Sequence, residues 1–133
     1  MPRAHPANAR PLRSGERGAT AIEFALVLPL LVMLVFGIVE FGRGYNAKIT
    51  LTHAAREAVR EYTINGDVAD AQAAGQAAAP QLSGITITVV DPCDSTQGDT
   101  AEIEASWDFD YTIPLVNSGT VTIDESAVMR CGA

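Results

Sequence analysis

The sequence predicts an α+β protein: a long N-terminal membrane-spanning helix that continues into a small extracytoplasmic domain, built from a short helix and a three-stranded antiparallel sheet. Three observations predict it. Residues 24–39, FALVLPLLVMLVFGIV, carry no charge and no amide. Small apolar residues then recur at helical spacing, and the C-terminal half breaks into β-branched and alternating runs.

The apolar run comes first. Counted from Ala19 it reaches 21 residues with one carboxylate, Glu23. At about 1.5 Å per residue that is about 31 Å, the hydrocarbon thickness of a bilayer. A soluble core helix would show a polar stripe, and this run has none. Pro29 removes one backbone donor and crowds the carbonyl of Ala25, so a bend is expected there rather than a break. The segment is expected to stay attached, because Glu40-Phe41-Gly42-Arg43 makes a poor signal-peptidase site.

Charge is unevenly placed within a net −7. Residues 1–18 hold Arg3, Arg10, Arg13 and Arg17 against Glu16. From Tyr62 onward Arg130 is the single basic residue among eleven Asp and Glu. An acidic domain is ill suited to nucleic acid, which is held through cationic contacts to phosphate. Arg43, Lys48 and Arg56 follow the span, so charge counting favours a cytoplasmic N-terminus only modestly.

The helical pattern runs on to about Tyr62, with Ala47, Leu51, Ala54, Ala55, Ala58 and Tyr62 on one face. Lys48, Arg56, Glu57, Arg60 and Glu61 occupy much of the remainder. Asn65-Gly66 predicts a turn, and Asp67 an N-cap for a short helix to about Ala79, before Pro80. Strands are predicted over residues 85–90, 101–113 and 120–124. In the second, Ile103, Ala105, Trp107, Phe109, Tyr111 and Ile113 share one face, which should cover the distal half of the long helix.

Chemistry is sparse. Glu102, Glu104, Asp108 and Asp110 share the other strand face; a glycosidase-like pair or calcium site weighs less there than a solvated face. Asp91, Asp94 and Asp99 make a loop calcium site a weaker alternative still. No Ser/His/Asp set and no glycine-rich phosphate loop occurs, so the protein is read as no enzyme, with no cofactor and no metal. Cys93 and Cys131 lie in no CxxC and near no histidine, which removes a zinc site. Two widely spaced cysteines in an exported domain read more simply as a disulfide, worth about 4 kcal/mol by loop closure, than as two unpaired buried thiols. A disulfide would place the domain outside the cytoplasm.

Glu23 is the most informative residue. A carboxylate inside a span is costly and is usually paired or functional. Taken alone, it is equally a group that reaches the interface or stays neutral. Its surroundings shift the balance. Residues 16–24, ERGATAIEF, resemble a prepilin processing site, and RGATAIEFALVLPLLVMLVFGIVEFGR resembles the start of the TadE-like family, pseudopilins or minor pilins of the tight-adherence (Flp) type IV pilus. The run ITLTHAAREAVR and the closing SAVMR extend the likeness; residues 64–119 carry no matching motif.

The resemblance implies a chain in three parts: a basic leader over 1–18, a transmembrane helix over 19–40 and an extracytoplasmic pilin-like domain over 41–133. A membrane prepilin peptidase would cut after Gly18 and leave Ala19 as the new N-terminus. Glu23, followed by Phe24, would then serve assembly, its carboxylate one turn from the new ammonium. The implied setting is the bacterial inner membrane, N-terminus cytoplasmic and domain periplasmic, with passage into a surface pilus or related secretion apparatus. The implied partners are the major Flp pilin, other minor pilins, the inner-membrane assembly platform and the prepilin peptidase. A permanently anchored, uncleaved periplasmic binding or adhesion module is the alternative.

Overall fold

A computed structural model describes residues 15–94 and 99–132. Most of the stretch read as a leader, residues 1–14, lies outside the described residues.

Helix α1, Gly15–Asn65, is 51 residues long, which corresponds to about 76 Å. It runs unbroken across Pro29, since a proline deletes one bond of the ladder while its neighbours keep theirs. It ends where Gly66 takes φ +70° and donates its N–H to the carbonyl of Tyr62 at 2.8 Å, a left-handed terminus that glycine adopts without strain. Helix α2, Val68–Ala78, starts at once. The Asp67 carboxylate accepts from the N–H groups of Ala69 at 2.7 Å and Asp70 at 3.4 Å, satisfying two of the donors a helix start leaves open. The predicted turn and cap are both present.

The sheet consists of β1, Thr86–Asp91, β2, Thr100–Ile113, and β3, Asn117–Arg130. It is antiparallel throughout, in the order β1-β2-β3. Between Val89 and Asp91 the register shifts, which leaves Val90 as an extra residue in the ladder. The third strand is longer than the expected 120–124. It pairs with β2 without a slip from Thr100↔Arg130 to Ile113↔Asn117, so residues 126–130, expected only as a closing motif, belong to the sheet. A long partner supplies hydrogen bonds to any residue placed beside it, which overrides the weak strand preference of Asn117, Ser118 and Gly119.

The core lies between the distal half of α1 and the sheet. Leu51, Ala54, Ala55, Ala58, Val59 and Tyr62 pack against Ala101, Ile103 and Ala105 of β2 and Ile87 of β1. Leu51 and Ile103 are wholly buried, and burying such a side chain contributes about 1.5–3 kcal/mol. The alanines let the helix approach the sheet closely, as expected from their stripe. Helix α2 closes the other side through Gly75, where a Cβ would stand 2.9 Å from Cδ1 of Ile87 and 3.2 Å from Cβ of Ala58.

Candidate functional site at the exposed end of the long helix

Two halves of α1 have opposite surroundings. Beyond Ala47 one face is covered by the sheet, whereas the stretch from Gly18 to about Val39 meets no other element closely enough to be buried. Leu26 and Phe41 are each 75% exposed. The helix is long and apolar enough to cross a membrane, and none of its most apolar window is buried inside the protein. Exposing so much apolar surface to water would be strongly unfavourable, and a bilayer removes that cost. This supports membrane anchoring through α1.

Within this apolar stretch sits the carboxylate of Glu23. Thr20, Glu23, Phe24 and Val27 border one shallow hollow along the helix, the stripe that positions three and four apart make on a helix surface. Phe24 is 64% exposed, so the ring and the carboxylate are both presented outward from a single face. Ala19 precedes Glu23 by four residues in the same helix. Gly18 also lies inside α1 rather than in an extended segment, and a Cβ there would meet nothing within 4 Å. Glycine at this point serves no packing need. Its effect is to weaken the helix locally, so that unwinding around residue 18 costs about 1 kcal/mol less than with alanine.

Residues 18–60 match the family model described as TadE-like protein. This segment is TadE-like. The match covers the exposed apolar stretch, the site around Glu23 and most of the buried face of α1. It stops short of α2 and the sheet. No curated protein and no solved structure matches the chain. The TadE-like part is thus the anchor and the helical spine, and the sheet is carried upon it.

Where the TadE-like helix leaves its apolar stretch, charged groups begin and the sheet parts from it. Arg43 pairs with Glu40 at 2.9 Å, and its guanidinium stands 5.4 Å from the centre of the Phe109 ring. Gly44 lies against that ring: a Cβ there would stand 3.7 Å from it, an ordinary contact. One turn on, Lys48 pairs with Glu125 of β3 at 2.9 Å, and Thr52 donates to the same carboxylate at 3.4 Å. The hydrogen bond that Lys48 donates to Glu125, then the charge of that carboxylate, raise the Lys48 pKa above the ordinary lysine value. Lys48 lies off the buried stripe, as expected, and its side chain is 59% exposed, yet it reaches across to β3. Nothing in its local sequence pairs it with β3, because Glu125 breaks the apolar order of the helix-facing side of its own strand.

The other residues singled out by type and spacing lie apart from this site. Cys93 and Cys131 are joined as a disulfide, with Cα atoms 5.8 Å apart, so the unpaired-thiol alternative is not what the structure holds. The bridge ties the segment after β1 to the end of β3, where Cys131 N–H also donates to the carbonyl of Asp99 at 2.9 Å. Glu102, Glu104, Asp108 and Asp110 lie on the sheet face turned away from α1. Asp108 and Asp110 accept hydrogen bonds from Thr122 and Thr120 across the strand pair. That is cross-strand pairing on an open surface. Of the loop acids, Asp99 accepts from the N–H of Asp94 at 2.6 Å.

Proposed function

We propose that this chain is a minor pilin or pseudopilin, contributing to assembly of a tight-adherence (Flp) type IV pilus or of a related secretion apparatus. The observation that carries the reading is Glu23: one carboxylate on an exposed, otherwise apolar helix face, four residues after Ala19, within the TadE-like segment. A group so placed in a bilayer needs a cationic partner. Cleavage after Gly18 by a prepilin peptidase would create one, the ammonium of Ala19, on the same subunit or on a neighbour in the fibre. A buried pair of this kind adds little stability but penalises every axial offset that separates its charges. Glu23, with Phe24 beside it, thereby sets the register of the subunit among its neighbours.

In this reading residues 19–40 span the bacterial inner membrane with the N-terminus cytoplasmic, and residues 41–133 form a periplasmic pilin-like domain. The disulfide supports that orientation, since such bonds persist outside the reducing cytoplasm. The partners are the major pilin, sibling minor pilins, the assembly platform and the peptidase. The protein contributes surfaces and register, and its one reaction is undergone as a substrate.

The test is the mass of the membrane-derived chain together with a fibre assay. The reading requires a protein that begins at Ala19, and it requires Glu23→Gln to lower fibre yield while leaving the folded domain intact. A chain still beginning at Met1 in cells that make fibres overturns it and favours permanent anchoring.

A further inference from the structure

The hairpin that joins β2 to β3 points back along α1. Met129, near the end of β3, accepts a hydrogen bond from Thr63 near the top of the helix at 3.5 Å. Lower down, Glu125 meets Lys48, then Phe109 meets Gly44. Lowest of all, Tyr111 and Ile113 share an apolar groove of ≈ 630 Å³ with Gly37, Phe41 and Tyr45. The turn at residues 114–116 follows Ile113 directly and so lies next to the groove that Gly37 helps to line, on the side of the sheet that leads toward the apolar stretch of α1.

The chemistry of that tip is unlike the rest of the domain. Between Asp110 and Asp124 no residue carries a charge, although the domain around it is strongly acidic. Leu115 is 78% exposed and Val116 62%. Leu115 also holds φ +67°, a left-handed conformation that hairpin turns ordinarily assign to glycine or asparagine. Two exposed apolar side chains on an uncharged turn are a costly choice for a turn bathed in water. They are a suitable one for a turn that meets lipid.

We propose that the tip of the β2–β3 hairpin, residues 114–116, inserts into the interfacial layer of the bilayer that α1 crosses, with glycerophospholipid as its partner. The inference rests on the reading of α1 as a membrane span. The tip and the helix then form two separate membrane contacts, which hold the domain at one tilt and one rotation above the surface. Phe41, Tyr45 and Tyr111 line the groove at the depth where aromatic side chains favour the interface. The acids of the domain stay clear of anionic headgroups because the sequence confines them to the far side of Asp110 and Asp124.

Depth-resolved fluorescence quenching tests this on the full chain in vesicles of phosphatidylcholine and phosphatidylglycerol. The substitution Leu115→Trp is made with Trp107→Phe, and again with Trp107 retained in case that change disturbs the fold. Lipid brominated near the ester end of the acyl chain should quench Leu115→Trp strongly, and aqueous acrylamide should quench it weakly. Val128→Trp, exposed near the opposite end of the sheet, should show the reverse. Phe36→Trp in the span is the reference and should follow the bromine. If Phe36→Trp is quenched by bromine and Leu115→Trp behaves like Val128→Trp, the hairpin contact is overturned while the span stands. Shielding of Leu115→Trp from acrylamide without any response to bromine also overturns it, in favour of a second protein copy. Loss of bromine quenching at both positions removes the span and the hairpin contact together.

Discussion

Nζ of Lys48 stands 2.9 Å from Oε1 of Glu125, so a cation on the helix and an acid on the last strand clamp the sheet at the point where it begins to part from α1. Above this pair the two elements share a buried core, and below it Phe109 still meets Gly44 beside an apolar groove that Tyr111 and Ile113 share with Gly37 and Phe41. The pair marks the border between the half of the helix that folds the domain and the half that anchors it.

The first prediction concerns the pH dependence of this clamp. Lys48 has its pKa raised by Glu125 above the ordinary 10.5. A raised cationic group contributes fully below its unfolded value, and that contribution is lost as pH climbs through the higher folded value. Wild type should therefore exceed Lys48→Met in stability by a constant margin at neutral pH, and the margin should close above pH 10.5. Chemical unfolding in detergent micelles, followed by far-UV circular dichroism, measures it; a margin that persists at the highest pH counts against the clamp.

Removing the disulfide should cost much of the stability of the domain. The bridge closes a separation of 38 residues, for which loop-closure entropy gives about 4 kcal/mol. Cys93→Ser with Cys131→Ser should shift the urea midpoint down accordingly. Wild type should also migrate faster on a gel without reductant than with it.

Gly75 should resist enlargement. Alanine is a better helix former than glycine by about 1 kcal/mol, yet its methyl would press on Ile87 and on the Cβ of Ala58. The alanine of α1 cannot turn aside, and overpacking costs about 1–3 kcal/mol. Gly75→Ala should be net destabilising, and adding Ile87→Val should recover part of the loss by removing the nearest atom. A double-mutant cycle in urea reads the coupling.

Leu51 and Leu26 offer a contrast within one helix. Leu51 is wholly buried against the sheet, whereas Leu26 is 75% exposed in the apolar stretch. Leu51→Ala should lower domain stability by about 2–5 kcal/mol. Leu26→Ala should leave it unchanged in the same micelles. Equal effects would mean that the two halves of α1 do not divide as described.

Sequence alone determined much of this protein because its strongest signals are local. A run of aliphatic and aromatic side chains is apolar in any fold, so the anchor was legible in residues 24–39, and Glu23 stood out because it interrupts the approach to that run. The period of small residues from Ala47 to Tyr62 named most of the buried face of α1 before any partner was known, and Val59 and Thr63 were missed there. Asp67 and Gly66 announced the break between helices through backbone chemistry that needs no tertiary context.

Tertiary structure decided what depends on residues far apart in the chain. The full length of β3 is set by β2, which supplies partners to residues such as Asn117 and Ser118 that have no strong strand preference of their own. The union of Lys48 with Glu125 and the closure of Cys93 onto Cys131 follow from register and packing, which no single segment encodes. So does the direction of the hairpin: an apolar turn is visible as a string of letters, but that it leads toward the apolar stretch of α1 is known only once the sheet is laid on the helix. Local preference acts within a few residues, whereas the position of one element against another is fixed by the burial and pairing of both.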